Sequence, residues 1–425
     1  MRIEMKTSEQ NDLETENLIT SLFLTLRDPK ADLRTFYDVE LKLLEHVVKC
    51  EKKIRELEQK RRKLGLQRRG FVKQKPMTGK SKKCLMAIHE KEGILRQSVE
   101  SFRRRRILLK RLVDALAWIL TRFNRAYIRS MGRKEPTGFI VGKAGYKLER
   151  LALEATFNEE KQTIGILHDV TNCLRVGDVT VVQLEGSPTI LGCLELKLVR
   201  DKLAPKHSRE KRQKEHGEII WEYLSTGKST QILPGFTVIS SRPKLENHWS
   251  KMRYLLRKAK SRGYAYEKIE DALLYVAYNP QIIEIEEIIE KLENELDPPF
   301  DFGCLDRHRE GLFDHEPIFT FEIDPELILD ILFGRLVLCI FLSFGKLKPL
   351  IKDLGYDLVL PSDLGGSKKG LKLVSGNGEE IFIGSYPIEM LLYEGLSIKS
   401  FLSVINGLKK IRVENVKKSS RSKFK

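Results

Sequence analysis

The 425-residue chain predicts an α/β protein: a mixed sheet flanked by helices, preceded by a long helical hairpin and followed by an α-rich C-terminal region. Three observations predict it. From Leu33, apolar residues recur at helical spacing (Tyr37, Leu41, Leu44, Val48, Ile54, Leu57), and the same spacing returns from Leu95 to Phe123. Between Val179 and Lys197, two β-branched runs flank the turn residues Glu185-Gly186-Ser187-Pro188, the pattern of a β-hairpin. Beyond Leu245, further helical spacings follow one another. The expected organisation is an N-terminal helical hairpin or coiled-coil arm over 1–131, an α/β core over 135–240, and a helical and mixed region over 245–425.

In chain order, the polar first residues read as frayed and carry no secretory signal. A first long helix is expected to about Lys63. Gln59 to Lys83 holds eleven Lys/Arg and no acid, and Gly65, Gly70, Pro76 and Gly79 predict a mobile basic loop there. A return helix then runs to about Met131 and carries Arg103, Arg104, Arg105 and Arg106. Gly132–Gly145 reads as a boundary loop. Tyr146 to Phe157 is an amphipathic helix with Leu148, Leu151, Ala152 and Ala155 inward, and it bears Glu149. A strand over Thr163–Val170 follows; His168-Asp169 at its end reads as turn chemistry, with Asp169 as a rival acid. After the hairpin comes a polar helix over Ser208–Leu224, capped by Ser208. Helices are expected over Leu245–Ser261, Tyr266–Ala277 and Ile282–Leu296, a strand over Phe319–Ile323, and an apolar helix over Glu326–Phe344. That helix is too interrupted by Asp330 and Arg335 to span a membrane. A strand at Asp357–Leu360, a hairpin around Asn377 and a helix over Tyr386–Leu408 complete the chain.

Charge points to a polyanionic partner. The net charge is +17, and Glu51–Arg111 alone has 22 Lys/Arg against 6 Asp/Glu, so the excess sits almost entirely in the arm. Arg61, Arg62, Arg68, Arg69 and Arg103–Arg106 are the candidate phosphate contacts. The six cysteines (50, 84, 173, 193, 304 and 339) form no C-x-x-C pair, which predicts reduced thiols in a cytoplasmic protein without structural zinc.

The hairpin carries the chemistry. A turn centred between Gly186 and Ser187 sets Asp178 directly opposite Glu195 on one face, and Lys197 shares that face. Two carboxylates facing each other destabilise a hairpin unless a cation lies between them. Mg²⁺ or Mn²⁺ meets that need, and a neighbouring ammonium can orient an attacking water, which is the chemistry of phosphodiester hydrolysis.

These residues resemble the core of the PD-(D/E)-x-K superfamily, the restriction-endonuclease-like nucleases, over roughly residues 140–230, with Gly177 standing where the motif has Pro. The resemblance implies a restriction-endonuclease-like core, with Asp178, Glu195 and the Leu196 carbonyl binding metal and Lys197 serving the water. It also implies a further acid from the preceding helix, here Glu149, and a phosphate contact from the following helix, here Arg212 and Gln213. The expected function is a Mg²⁺- or Mn²⁺-dependent nuclease acting on nucleic acid, DNA ahead of RNA, with a homodimer formed through the N-terminal helices as a further expectation. The rival readings are a non-catalytic nucleic-acid-binding or scaffold protein with a degenerate nuclease fold, and a membrane-surface partner using the basic arm.

Overall fold

In the computed structural model, the described residues are 8–73, 79–132, 138–143, 146–186, 189–194, 245–292, 298–305, 314–360 and 370–406, with single positions and the short strand pair 228–229/238–239 in between. They divide into two compact units, 1–221 and 222–425. Mixed helices and antiparallel sheets make up both, in keeping with the α/β class.

The first unit is built on three helices, α1 (Ser8–Leu26), α2 (Leu33–Lys73) and α3 (Gly79–Leu120). Asp32 opens α2 by accepting the Thr35 N–H at 2.8 Å, the capping chemistry of a short acidic side chain. Ile54 and Leu57 of α2 pack with Leu95 and Val99 of α3 in one buried cluster, and Leu43, Leu44 and Val47 of α2 and Leu109, Leu112 and Leu116 of α3 are buried as well. The mobile basic loop expected over 59–83 is instead helical on both sides of residues 74–78. Each glycine costs a helix about 1 kcal/mol relative to Ala, too little to end one otherwise made of Leu, Lys, Arg and Gln.

After α4 (Arg125–Met131) and α5 (Tyr146–Thr156), the strands β1 (Thr163–Leu167), β2 (Val179–Gln183) and β3 (Thr189–Leu194) form an antiparallel sheet in that order. The boundary expected between 131 and 135 falls inside this unit, because buried side chains of the helices bond to the backbone of the sheet region. Glu40 accepts the Leu167 N–H at 2.8 Å, Glu51 those of Ile140 and Val141, and Asp114 those of Asn172 and Cys173.

In the second unit, β6 (Tyr264–Glu270), β7 (Leu273–Tyr278), β8 (Phe300–Leu305) and β9 (Val337–Ser343) form an antiparallel sheet in the order β6-β7-β9-β8, after the short pair β4 (Lys228–Ser229) and β5 (Val238–Ile239). Two expected helices are therefore strands. Leu273–Tyr278 is buried at every position, so its apolar run has no periodicity to separate a central strand from a buried helix. The apolar run from Glu326 breaks at its two charges: Pro325–Leu332 is helical, Gly334 takes φ +72°, and Asp330 both accepts the Arg335 N–H and pairs with its guanidinium. Phe319–Ile323 is a 3₁₀ turn and bends rather than a strand. The final helix stops at Glu394, with Gly395 in the left-handed region, and a further helix covers 398–406. The hairpin at Asn377 joins β11 (Gly370–Ser375) to β12 (Glu380–Gly384), beside β10 (Tyr356–Val359), as expected. Reduced thiols are corrected at one place: Cys304 and Cys339 are directly paired across β8 and β9 and form a disulfide. Among the described residues no helix is long and apolar enough to cross a membrane.

Asp114→Ala is expected to lower stability by about 3 kcal/mol, since it strands two buried backbone N–H groups and the Asn172 amide. Urea unfolding of the pure protein measures this, and a loss below about 1 kcal/mol would contradict the capping role.

Candidate functional site

The β2–β3 hairpin delivers the site end in the expected register, by an unexpected route. Val179 pairs with Leu194, Thr180 with Cys193 and Val181 with Gly192, and the expected pairing of Asp178 with Glu195 lies outside the described residues. At the turn end the pairing is one residue shorter, Val182 with Ile190, so Leu191 is a β-bulge that makes up the difference. Asp178 donates its N–H to the Leu194 carbonyl at 2.9 Å and accepts the His168 N–H at 2.9 Å, which fixes its backbone between β1 and β3. Glu195, Leu196, Lys197, Arg212 and Gln213 lie outside the described residues.

Position 177 is held to glycine by its backbone. Its φ is +79°, and a Cβ there would lie 2.3 Å from Cys193 Sγ, so neither Pro nor any other L side chain fits.

Glu149 enters the site from α5. The inward face of that helix is Glu149 and Leu153, with Leu148 and Ala152 half-buried; Leu151 and Ala155, expected inside, are exposed. The reason is a shift of the buried stripe toward the acid. Glu149 is 7% exposed, and its Oε2 is buried with no hydrogen-bond partner. Burial pushes its carboxyl from 4.5 up to about 7, helped by the negative charges of Asp169 and Asp178 and opposed by Lys143. Asp169 and Asp178 therefore both act on Glu149, although they follow it by 20 and 29 residues in the chain.

Lys143 is the addition that sequence reasoning missed, and Asp169, read there only as a rival acid in a turn, lies beside it. Asp169 sits in the 3₁₀ turn His168–Val170, as turn chemistry required, but its carboxylate also pairs with Lys143 Nζ and hydrogen-bonds toward Glu149. The signal in the sequence was only a bare His-Asp pair, which does not reveal that α5 packs over it. The loop bearing Lys143 is anchored to the long helices: Glu51 accepts the Ile140 and Val141 N–H groups, Arg106 pairs with Glu51 at 2.8 Å, and Arg55 and Arg106 both lie over the Phe139 ring. Lys110 is buried and donates to the Asp169 carbonyl at 2.8 Å; burial lowers its ammonium to about 7. Beneath the cluster, His168 Nε2 and the Tyr127 hydroxyl both meet Thr180 Oγ1, at 2.6 and 2.7 Å, and burial lowers the imidazole to about 4, keeping it neutral.

Among the described residues no group of three or more His, Cys, Asp or Glu is arranged to hold a metal ion. The Arg run of α3 is turned toward the protein's own acids. Arg103 pairs with Glu58 and Glu100, Arg104 with Asp12, and Arg106 with Glu51, while Arg105 is half-buried on the same turn. The pairs made by Arg103, Arg104 and Arg106 tie the three helices to one another at the base of the arm. Arg61, Arg62, Arg68 and Arg69 are exposed on α2. No family model, curated protein or solved structure matches the chain.

The raised Glu149 carboxyl gives a signed pH effect. The folded state keeps a proton that the unfolded chain releases between pH 4.5 and about 7, so Glu149 costs stability as pH rises through that window. Relative to wild type, Glu149→Gln should gain about 1–3 kcal/mol between pH 5 and pH 8 in urea titrations. A difference that does not change with pH would place the carboxyl in ordinary solvent.

Proposed function

We propose that the chain is a metal-dependent nuclease that hydrolyses phosphodiester bonds of nucleic acid, DNA ahead of RNA, through a restriction-endonuclease-like core. The observation that carries this reading is that the buried Glu149 carboxyl feels the negative charges of Asp169 and Asp178, acids carried by separate elements near the start of β2. Repelling carboxylates held together, one of them with an unsatisfied buried oxygen, favour a cation.

The residues present suit Mg²⁺ or Mn²⁺, which take oxygen ligands. Asp178 and Glu149 would bind it with Glu195 and the Leu196 carbonyl, and the ion would supply charge to the phosphate and acidity to water. The chain's own tasks are then separable. Lys197 orients the attacking water, and Arg212 and Gln213 hold the phosphate beside the scissile bond. Lys110 and His168 keep the Asp169 turn and Asp178 in place through backbone bonds.

A second reading, a nucleic-acid-binding or scaffold protein with a degenerate nuclease fold, is favoured by the lack of a three-ligand metal group among the described residues. Cleavage separates the two. Incubated with plasmid DNA and with RNA in Mg²⁺ or Mn²⁺, the wild type is expected to cut at least one of them, and Asp178→Ala to lose about 100-fold or more of that activity with folding retained. Binding without cleavage in the wild type, or unchanged cleavage in the variant, would reject the nuclease.

A further inference from the structure

The outer half of the helical arm presents a different surface from its base. At the base, Arg103, Arg104 and Arg106 are neutralised by Glu58, Asp12 and Glu51. Farther out, Arg68 pairs with Glu92 and Lys60 with Glu56, but among the described residues no carboxylate pairs with Arg61, Arg62, Lys63, Arg69 or Lys73. All five are exposed. At 3.6 residues per turn, positions seven apart return to nearly the same face, so Arg62 and Arg69 align, with Lys73 one turn beyond. The result is a rigid cationic stripe of Arg62, Arg69 and Lys73, with Arg61 and Lys63 about 100° to either side of it, rather than a flexible basic tail.

We infer that this stripe, on the outer turns of α2, grips the backbone of double-stranded nucleic acid. The inference rests on the nucleic-acid reading above but not on catalysis. Guanidinium and ammonium groups in a fixed row suit phosphates, whereas a single-strand site needs aromatic platforms for bases. From Gln59 to Ser98 the only Phe, Tyr or Trp is Phe71, which is half-buried. A lipid surface calls for a continuous apolar face. The exposed apolar residues of the outer arm do not form one: Leu66 (63% exposed) and Val72 (54% exposed) are six residues apart on α2, about 120° around the helix, and Met86 stands on the other helix.

The stripe is remote from the acids. The Arg68–Glu92 pair marks the level of the stripe on α3, and Lys110 marks the level of Asp169. These are 18 residues apart on one helix, about 27 Å at 1.5 Å per residue, or roughly 8 base pairs of duplex. Contacts on the stripe therefore add affinity without touching the acid site.

The test uses the full-length protein in EDTA, so that no cutting occurs, and fluorescence anisotropy with a 24-base-pair duplex at several salt concentrations. Wild type is compared with the fourfold variant Arg61→Gln, Arg62→Gln, Arg69→Gln, Lys73→Gln, with circular dichroism confirming that the helices persist. Loss of four phosphate contacts should flatten the log-affinity against log-salt slope by about 3.6 units, at about 0.9 per contact. Single-stranded oligonucleotide of the same length should respond less. An equal slope in the two proteins overturns the inference, as does a variant that loses binding to phosphatidylserine vesicles while keeping its duplex affinity. A wild type that binds no duplex at all overturns the nucleic-acid reading itself, a separate result.

Discussion

The first unit depends on burying a loop. Between β1 and β2, residues 168, 170–174 and 176 are buried, and a buried loop must find partners for its backbone polar groups inside the protein. The long helices supply them. Asp114 receives two N–H groups, Lys110 reaches the Asp169 carbonyl, the Met131 carbonyl receives the Arg175 N–H, and Thr171 Oγ1 ties the loop to itself. Burial raises the carboxyls that do this work, Glu40 to about 8 and Asp114 above its ordinary value. Each is costly to bury alone and costly to remove once the amides rely on it.

That scaffold also determines where charge accumulates. The loop begins at Asp169 and ends at Asp178, so fixing it fixes both acids, and α5 brings Glu149 over them. The left-handed Gly177 lets the chain turn into β2 against Cys193 with no side chain in the way. Lys143 arrives on a loop held by Glu51 of α2 and Arg106 of α3, so the two long helices also steady the cation beside the acids.

Much of this was legible in the sequence. The amphipathic spacing of α2 and α3, the hairpin, and Asp178 at its end follow from periodicity and turn chemistry, and the buried place of Glu149 follows from Leu148 and Ala152 beside it on α5. What was not legible depends on contacts distant in sequence. The Leu191 bulge leaves no mark in an alternating apolar run. Asp169 and Lys143 look like a turn acid and a loop lysine until α5 and α3 pack around them. Arg103–Arg106 read as free cations because their partners, Asp12, Glu51 and Glu58, lie on other helices. In the second unit, Leu273–Tyr278 and Val337–Ser343 misled for a simpler reason: strands buried in the middle of a sheet lose the alternation that distinguishes them from buried helices.

The central claim is that Glu149 and Asp178 form one cation-binding site. Calorimetric titration of Mn²⁺ into the full-length protein tests it without any assumption about substrate. One saturable site is predicted for wild type, weakened at least tenfold by Asp178→Asn and by Glu149→Gln, with affinity falling below pH 7 as the Glu149 carboxyl takes up its proton. Mn²⁺ binding that is absent from wild type, or identical in all three proteins, would contradict it.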